Sequence, residues 1–217
     1  MNHSSRTRFP VALMTLMLGL MAFLALSGAR CAWAQTPDAP TFFYSNGKKN
    51  ELVPSDRWVA VQVDPTASVA AVDSLVKTRS GVDTAAGTRR IRRKGRDFLV
   101  IPLAKPAPGT SGVSARLSTR QNLRSVPGVR HVPRAFGNGK SPIVETDMIM
   151  VRFQPSVSAK QAAAILAKYG ASVARPLGNY APNGYLAVIK NPEVNAPIEV
   201  ANAIYEKEPV VFSHPNF

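Results

Sequence analysis

The sequence predicts an α+β fold built from two tandem βαββαβ units. Three observations predict it. The segment DRWVAVQVDP at 56–65 has a counterpart in DMIMVRFQP at 147–155, and each alternates, opens on Asp and stops at Pro. Each leads into a short amphipathic stretch that ends near a glycine, Gly81 or Gly170. Each then gives an apolar strand, FLVIPL at 98–103 and YLAVI at 185–189, followed by a helical stretch and a last strand, 128–136 and 209–217. This order makes a small antiparallel sheet with two helices on one face, the ferredoxin-like arrangement. Such units usually bind or assist folding, so the repeat argues against an enzyme.

The chain opens with a targeting signal. Arg6 and Arg8 precede an unbroken apolar run at 11–26, and Ala32, Trp33 and Ala34 form an A-x-A cleavage site before Gln35. A signal peptide over 1–34 follows, and with it a secreted or periplasmic protein with no stable membrane span after cleavage. The run is short for a membrane span of about 20 residues. Arg30 stands where a lipoprotein signal at Cys31 needs a small residue. Cys31 is the only cysteine and leaves with the signal, so disulfide and thiol chemistry leave with it.

A first, divergent module spans 41–136. It begins with a hairpin, TFFY turning at Asn46 and Gly47, the strong two-residue turn signal. Ser68 caps a helix carrying Val69, Val72 and Val76 at helical spacing. The next hairpin turns at Lys94 and Gly95. A flexible Pro/Gly-rich connection at 106–113 precedes a short polar helix, with Ser118 as its cap. The second module spans 137–217, with 137–142 as the joint and 137–140 together with 143–145 as a reduced echo of the first hairpin. Ser158 caps a helix whose Ala162, Ile165, Leu166 and Tyr169 share one face, and Gly170 stops it. Asn195 is the expected cap of the last helix, with Pro197 in its first turn. Both faces of strands 58–63 and 148–153 are largely apolar. An antiparallel sheet with one face in water alternates more cleanly. The face away from the helices is therefore covered, by the sister module or by another protein.

The net charge is +14, and loss of the three leader arginines lowers it to about +11. A basic surface favours anionic partners. The excess concentrates at Arg89, Arg90, Arg92, Arg93, Lys94 and Arg96, candidate anion-binding residues for nucleic acid or anionic lipid. The stronger reading is an edge hairpin protected by charge, which leaves no nucleic-acid role in an exported chain. No catalytic residue is expected. His131 and His214 hold equivalent places in the two last strands, which the repeat alone explains. No metal-ligand spacing and no phosphate-binding glycine loop occur, so neither metal nor cofactor is expected. Gly109, Thr110 and Ser111 match a protease nucleophile turn only in passing, because Gly112 and Val113 follow.

The second repeat resembles the N-terminal prodomain of subtilisin-like serine proteases, of the fervidolysin-like kind. The residues that carry this are DMIMVRF at 147–153, the helix at 162–170, Asn183, Gly184, Tyr185 and Leu186, and above all ANAIYE at 201–206 with VVFSHPNF at 210–217. In those precursors an A-N-x-L-Y-E helix leads to a strand ending in a P-N-[FY] signature. The match covers about the last third of the chain. The first hairpin and strand 58–63 resemble the start of the same precursors. The Asp, His and Ser motifs of the protease domain are not in this chain.

The resemblance implies an intramolecular chaperone and inhibitor of a subtilisin-like serine protease, in cis or in trans, as a truncated precursor or a stand-alone protein. The open sheet face would pack on the enzyme. Phe212, Ser213, His214, Pro215, Asn216 and Phe217 would form the protease-binding tail leading toward the substrate cleft, a form of β-augmentation. Pro215 lacks the N–H that a substrate strand donates two residues before the cleavage point. Phe217 therefore reads as the end of the last strand, with an inhibitory linker further on. The alternative is an exported, non-catalytic binding protein that uses the same tandem fold for another protein partner.

Overall fold

The computed structural model describes residues 41–217. The expected signal at 1–34 lies outside them. The strands and helices run β1 (Thr41–Ser45), β2 (Lys48–Leu52), β3 (Trp58–Val63), α1 (Val69–Lys77), β4 (Arg89–Arg93), β5 (Arg96–Pro102), α2 (Gly112–Arg124), β6 (Val129–His131), β7 (Ala135–Phe136), β8 (Ile143–Val144), β9 (Met148–Phe153), α3 (Ala159–Lys168), β10 (Ala171–Pro176), β11 (Gly184–Ile189), α4 (Pro197–Lys207) and β12 (Val210–Pro215). The described residues therefore form an α+β structure with antiparallel sheets.

Two four-stranded sheets take their strands in matching order, β4-β5-β3-β6 and β10-β11-β9-β12. In each, the strand that opens the unit lies inside and pairs with both the third and the fourth strands of that unit. The alternation of each central strand decides which face meets helices. Val59, Val61 and Val63 pack with Val72 and Val76 of α1 and Leu123 of α2. Ile149, Val151 and Phe153 pack with Leu166 of α3 and Ala201 and Ile204 of α4. Each of these Val, Leu, Ile and Phe side chains contributes about 1.5–3 kcal/mol on full burial.

The local signals act as their chemistry requires. Asn46 and Gly47 at φ 51° and 74°, and Lys94 and Gly95 at 48° and 77°, give two tight hairpin turns. Ser158 and Gln161 close a reciprocal capping box on α3, and the Ser68 hydroxyl accepts from the Ala71 N–H on α1. Helix α1 ends at Lys77, before Gly81. Gly81 sits at φ +83°, where a Cβ would lie 1.9 Å from Thr119 Oγ1, so this glycine serves the approach of α2 to the sheet edge.

Three local expectations differ. Helix α2 starts at Gly112 rather than after Ser118, and Ser111 stands at its N-cap. Its buried face carries Arg116, Thr119 and Arg120 beside Leu123, so apolar periodicity understates it. The cap of α4 is not Asn195. Glu145, in the linker at 137–147 that includes β8, accepts the Ile198 N–H at 3.0 Å, while Asn195 packs over Gly170. The last strand of the first repeat breaks after His131. Pro133 interrupts it, Arg120 takes the freed Val132 and Pro133 carbonyls at 2.8 Å, and β7 pairs instead with β8.

The β1–β2 hairpin, first in sequence, packs on the second sheet's helix. Asn202 Nδ2 donates to Phe42 O, Tyr44 stacks on Tyr205 at 4.3 Å, and Phe43 meets Phe217 edge-on at 5.2 Å. The described residues thus begin against the second unit, build the first, and return.

Candidate functional site

The helix-free faces of the two sheets differ. On the first sheet this face carries Ala60, Gln62, Phe98 and Val100, all sealed at 1% exposure or less. The linker lies beside it: Trp58 Nε1 donates to Gly139 O, and Phe98 shares a cavity wall with Pro142 and Ile143. The sequence leaves two covers open for this face, the sister module or another protein; the segment seen beside Trp58 and Phe98 is the start of the span 137–217.

The second sheet presents Met150 and Arg152 on β9, Val188 on β11, and Phe212 and His214 on β12, all half-buried, around a buried Leu186. Register fixes this grouping: His214 lies opposite Met150 and Phe212 opposite Arg152. Phe212 and His214 stack at 5.1 Å. Arg152 Nε donates to Pro182 O, which keeps its guanidinium at the rim of an otherwise apolar strip.

The expected protease-binding tail is mostly strand. Residues Phe212, Ser213, His214 and Pro215 belong to β12, and the Asn216 N–H extends the ladder by donating to Met148 O at 3.0 Å. Pro215 occupies the alternate position, where a strand N–H would point away from β9, so its missing donor costs no ladder bond. Thr146 Oγ1 donates to Asn216 O. Phe217 joins Phe43, Leu52, Phe136 and Ile198 in a small cluster. Ser213 faces the helix side opposite Val151, leaving Phe212 and His214 as the tail residues on the helix-free face.

The basic hairpin divides. Arg90 pairs with Asp97 at 2.8 Å, Arg96 with Asp147 at 3.0 Å, and Arg89 donates to Lys140 O and Ser141 Oγ. Arg92, Arg93 and Lys94 are exposed around the turn. The charges therefore split between docking β4 onto the linker and lining an open edge.

The buried charge cluster beside the 137–142 joint is not signalled by the sequence. Arg134 is buried and donates to both oxygens of Glu145 and both of Glu199 at 2.7–2.9 Å. Burial alone would push its guanidinium down, but the two carboxylates outweigh this and hold it above its ordinary value. Nearby, burial and the Arg124 and Arg134 charges push Arg120 down to about 10. At the far edge, Glu193 takes His131 Nδ1 and Arg124 at 2.7 Å and the Val132 N–H at 3.1 Å. Burial would raise the Glu193 carboxyl, and these partners lower it to about 2. Only a carboxylate at the required spacing from two separate segments could have hinted at this in sequence.

Among the described residues no group of three or more His, Cys, Asp or Glu could hold a metal ion, and no helix is long and apolar enough to cross a membrane. The two histidines do not occupy equivalent registers: His131 lies opposite Gln62, the fifth residue of β3, whereas His214 lies opposite Met150, the third of β9, so the counterpart of His131 is Phe212. No protein-family model and no curated protein matches the chain.

Proposed function

We propose that the chain consists of two ferredoxin-like modules and acts as a subtilisin-like prodomain, an exported chaperone and inhibitor of a serine protease. The observation that carries this reading is the helix-free face of the second sheet. It is apolar at Met150, Val188 and Phe212, rimmed by Arg152, and it includes the last strand before the chain's end. A face of this kind suits docking on the outside of a globular enzyme, with apolar centre and polar rim. The end of the expected tail is fixed in place, because Asn216 is held by Met148 and Phe217 is packed on Phe43.

The first unit's role in this reading is support. It sets the linker against Trp58 and Phe98 of its helix-free face and holds Glu145 through Arg134, while Glu145 caps α4 behind the second sheet. The reading is tested by adding the purified protein to a denatured subtilisin-like protease and to the native enzyme. Recovery of activity in the first case and slow-binding inhibition in the second are expected. Neither effect with any secreted subtilisin-like protease tried would sink it, and would favour a binding protein for a different partner.

A further inference from the structure

We propose that the cavity between β4, the linker and Phe217 binds an apolar monocarboxylate, with Arg93 as the carboxylate's partner. The cavity holds about 180 Å³ and its apolar walls are Ile91, Phe98, Ile143, Val144 and Phe217. That volume falls below the 300–1,000 Å³ typical of drug-sized ligand sites and suits a group the size of one aliphatic or aromatic side chain.

Register explains how charge and grease meet here. Ile91 lies opposite Phe98 and Arg93 opposite Arg96, so the four side chains share the helix-free face of the first sheet. Arg96 is engaged by Asp147 and donates to Met148 Sδ. Arg93 has no ion pair among the described residues and lines the cavity from its exposed rim. Arg92 and Lys94 flank it and raise the positive potential at the mouth. A guanidinium at an apolar pocket's edge recognises a planar carboxylate through paired N–H donors. A phosphate or polyanion would gain the same charge contact, but it would also have to lose water against Ile91 and Phe98. The ligand class is therefore a single carboxylate on a compact apolar group, free or as the C-terminal residue of a peptide. The cavity adjoins the second sheet: Phe217 of the expected tail forms one wall, and Arg96 beside it meets Met148 on that sheet's helix-free face.

The test uses the full chain and methyl NMR of Ile91, Ile143 and Val144. Three probes are titrated: 4-methylvalerate, its neutral amide 4-methylvaleramide, and acetyl-alanyl-leucine with a free C-terminal carboxyl. At least one acid should shift these methyls saturably, and the amide should bind about tenfold more weakly or worse. Arg93→Gln should reduce the acid to the amide's affinity, while Arg92→Gln leaves it within twofold. Binding of the peptide without the free acid identifies a peptide terminus as the ligand, and the reverse identifies a free acid. Equal affinity for acid and amide, an unchanged Kd in folded Arg93→Gln, or no saturable shift with either acid would overturn the proposal.

Discussion

Arg134 and Glu199 lie in a doubly hydrogen-bonded ion pair, Nη1 to Oε1 and Nη2 to Oε2, both at 2.7 Å. One residue follows the first sheet, and the other stands in the first turn of the helix behind the second. Glu145, from the linker, completes the cluster and caps that helix. The pair therefore ties the end of the first sheet to the helix behind the second.

Breaking that pair leaves a buried charge without its partner. Glu199→Ala should cost about 3–5 kcal/mol, because removal of one member of a buried pair strands the other. The drop in the urea midpoint of unfolding measures it. A change below about 1 kcal/mol would mean that the cluster is solvated.

Glu193 should make the joint acid-sensitive. Its folded carboxyl is lowered to about 2 from an ordinary 4.5. A depressed carboxyl contributes stability that is fully present above the unfolded value and lost as pH falls through the folded one. The stability difference between the wild type and Glu193→Gln should thus be full at pH 6, shrink below about pH 4.5, and be nearly gone at pH 2. Urea titrations at these pH values read it. A difference independent of pH would contradict the assignment.

Gly81→Ala should destabilise by about 2 kcal/mol or more. The backbone is left-handed there, and the added methyl meets the Thr119 side chain at 1.9 Å. Pairing it with Thr119→Ser should leave most of the loss in place, because the hydroxyl that the methyl meets remains. Thermal melts of the single and double variants decide this.

Gln62→Leu should stabilise. The Gln62 amide is fully buried on the first sheet's sealed face, with neither its nitrogen nor its oxygen hydrogen-bonded among the described residues. An apolar side chain of similar size removes that desolvation cost, about 1 kcal/mol or more. A lower melting temperature would show instead that the amide is satisfied by bound water.

Much of the architecture was legible because it rests on local chemistry. The Asn46–Gly47 and Lys94–Gly95 turns, the Ser158 capping box and the alternation of β3 and β9 each act over a few residues. Helix α2 extends six residues upstream of its expected Ser118 cap, and periodicity misses this because its inner face is arginine and threonine, held by backbone carbonyls as well as by Leu123. The strand break at Pro133 and the Glu145 cap depend on partners more than ten residues away, which no local pattern encodes. Of the expected tail, sequence named the residues but not their division: Phe212 and His214 lie on the helix-free face, while Ser213 turns inward. The Arg134 cluster and the Arg93 cavity need three segments brought together, so periodicity and motif spacing are silent about them.

The central claim is that the helix-free face of the second sheet docks on a subtilisin-like protease. The most direct measurement is calorimetric titration of an active-site-blocked protease of this type with the wild type and with Val188→Glu, a half-buried position on that face. The account predicts saturable 1:1 binding in the nanomolar-to-micromolar range. It also predicts at least about tenfold weakening by the charged variant, which corresponds to roughly 1.4 kcal/mol. Equal binding by a folded Val188→Glu, or no binding by the wild type, would contradict it.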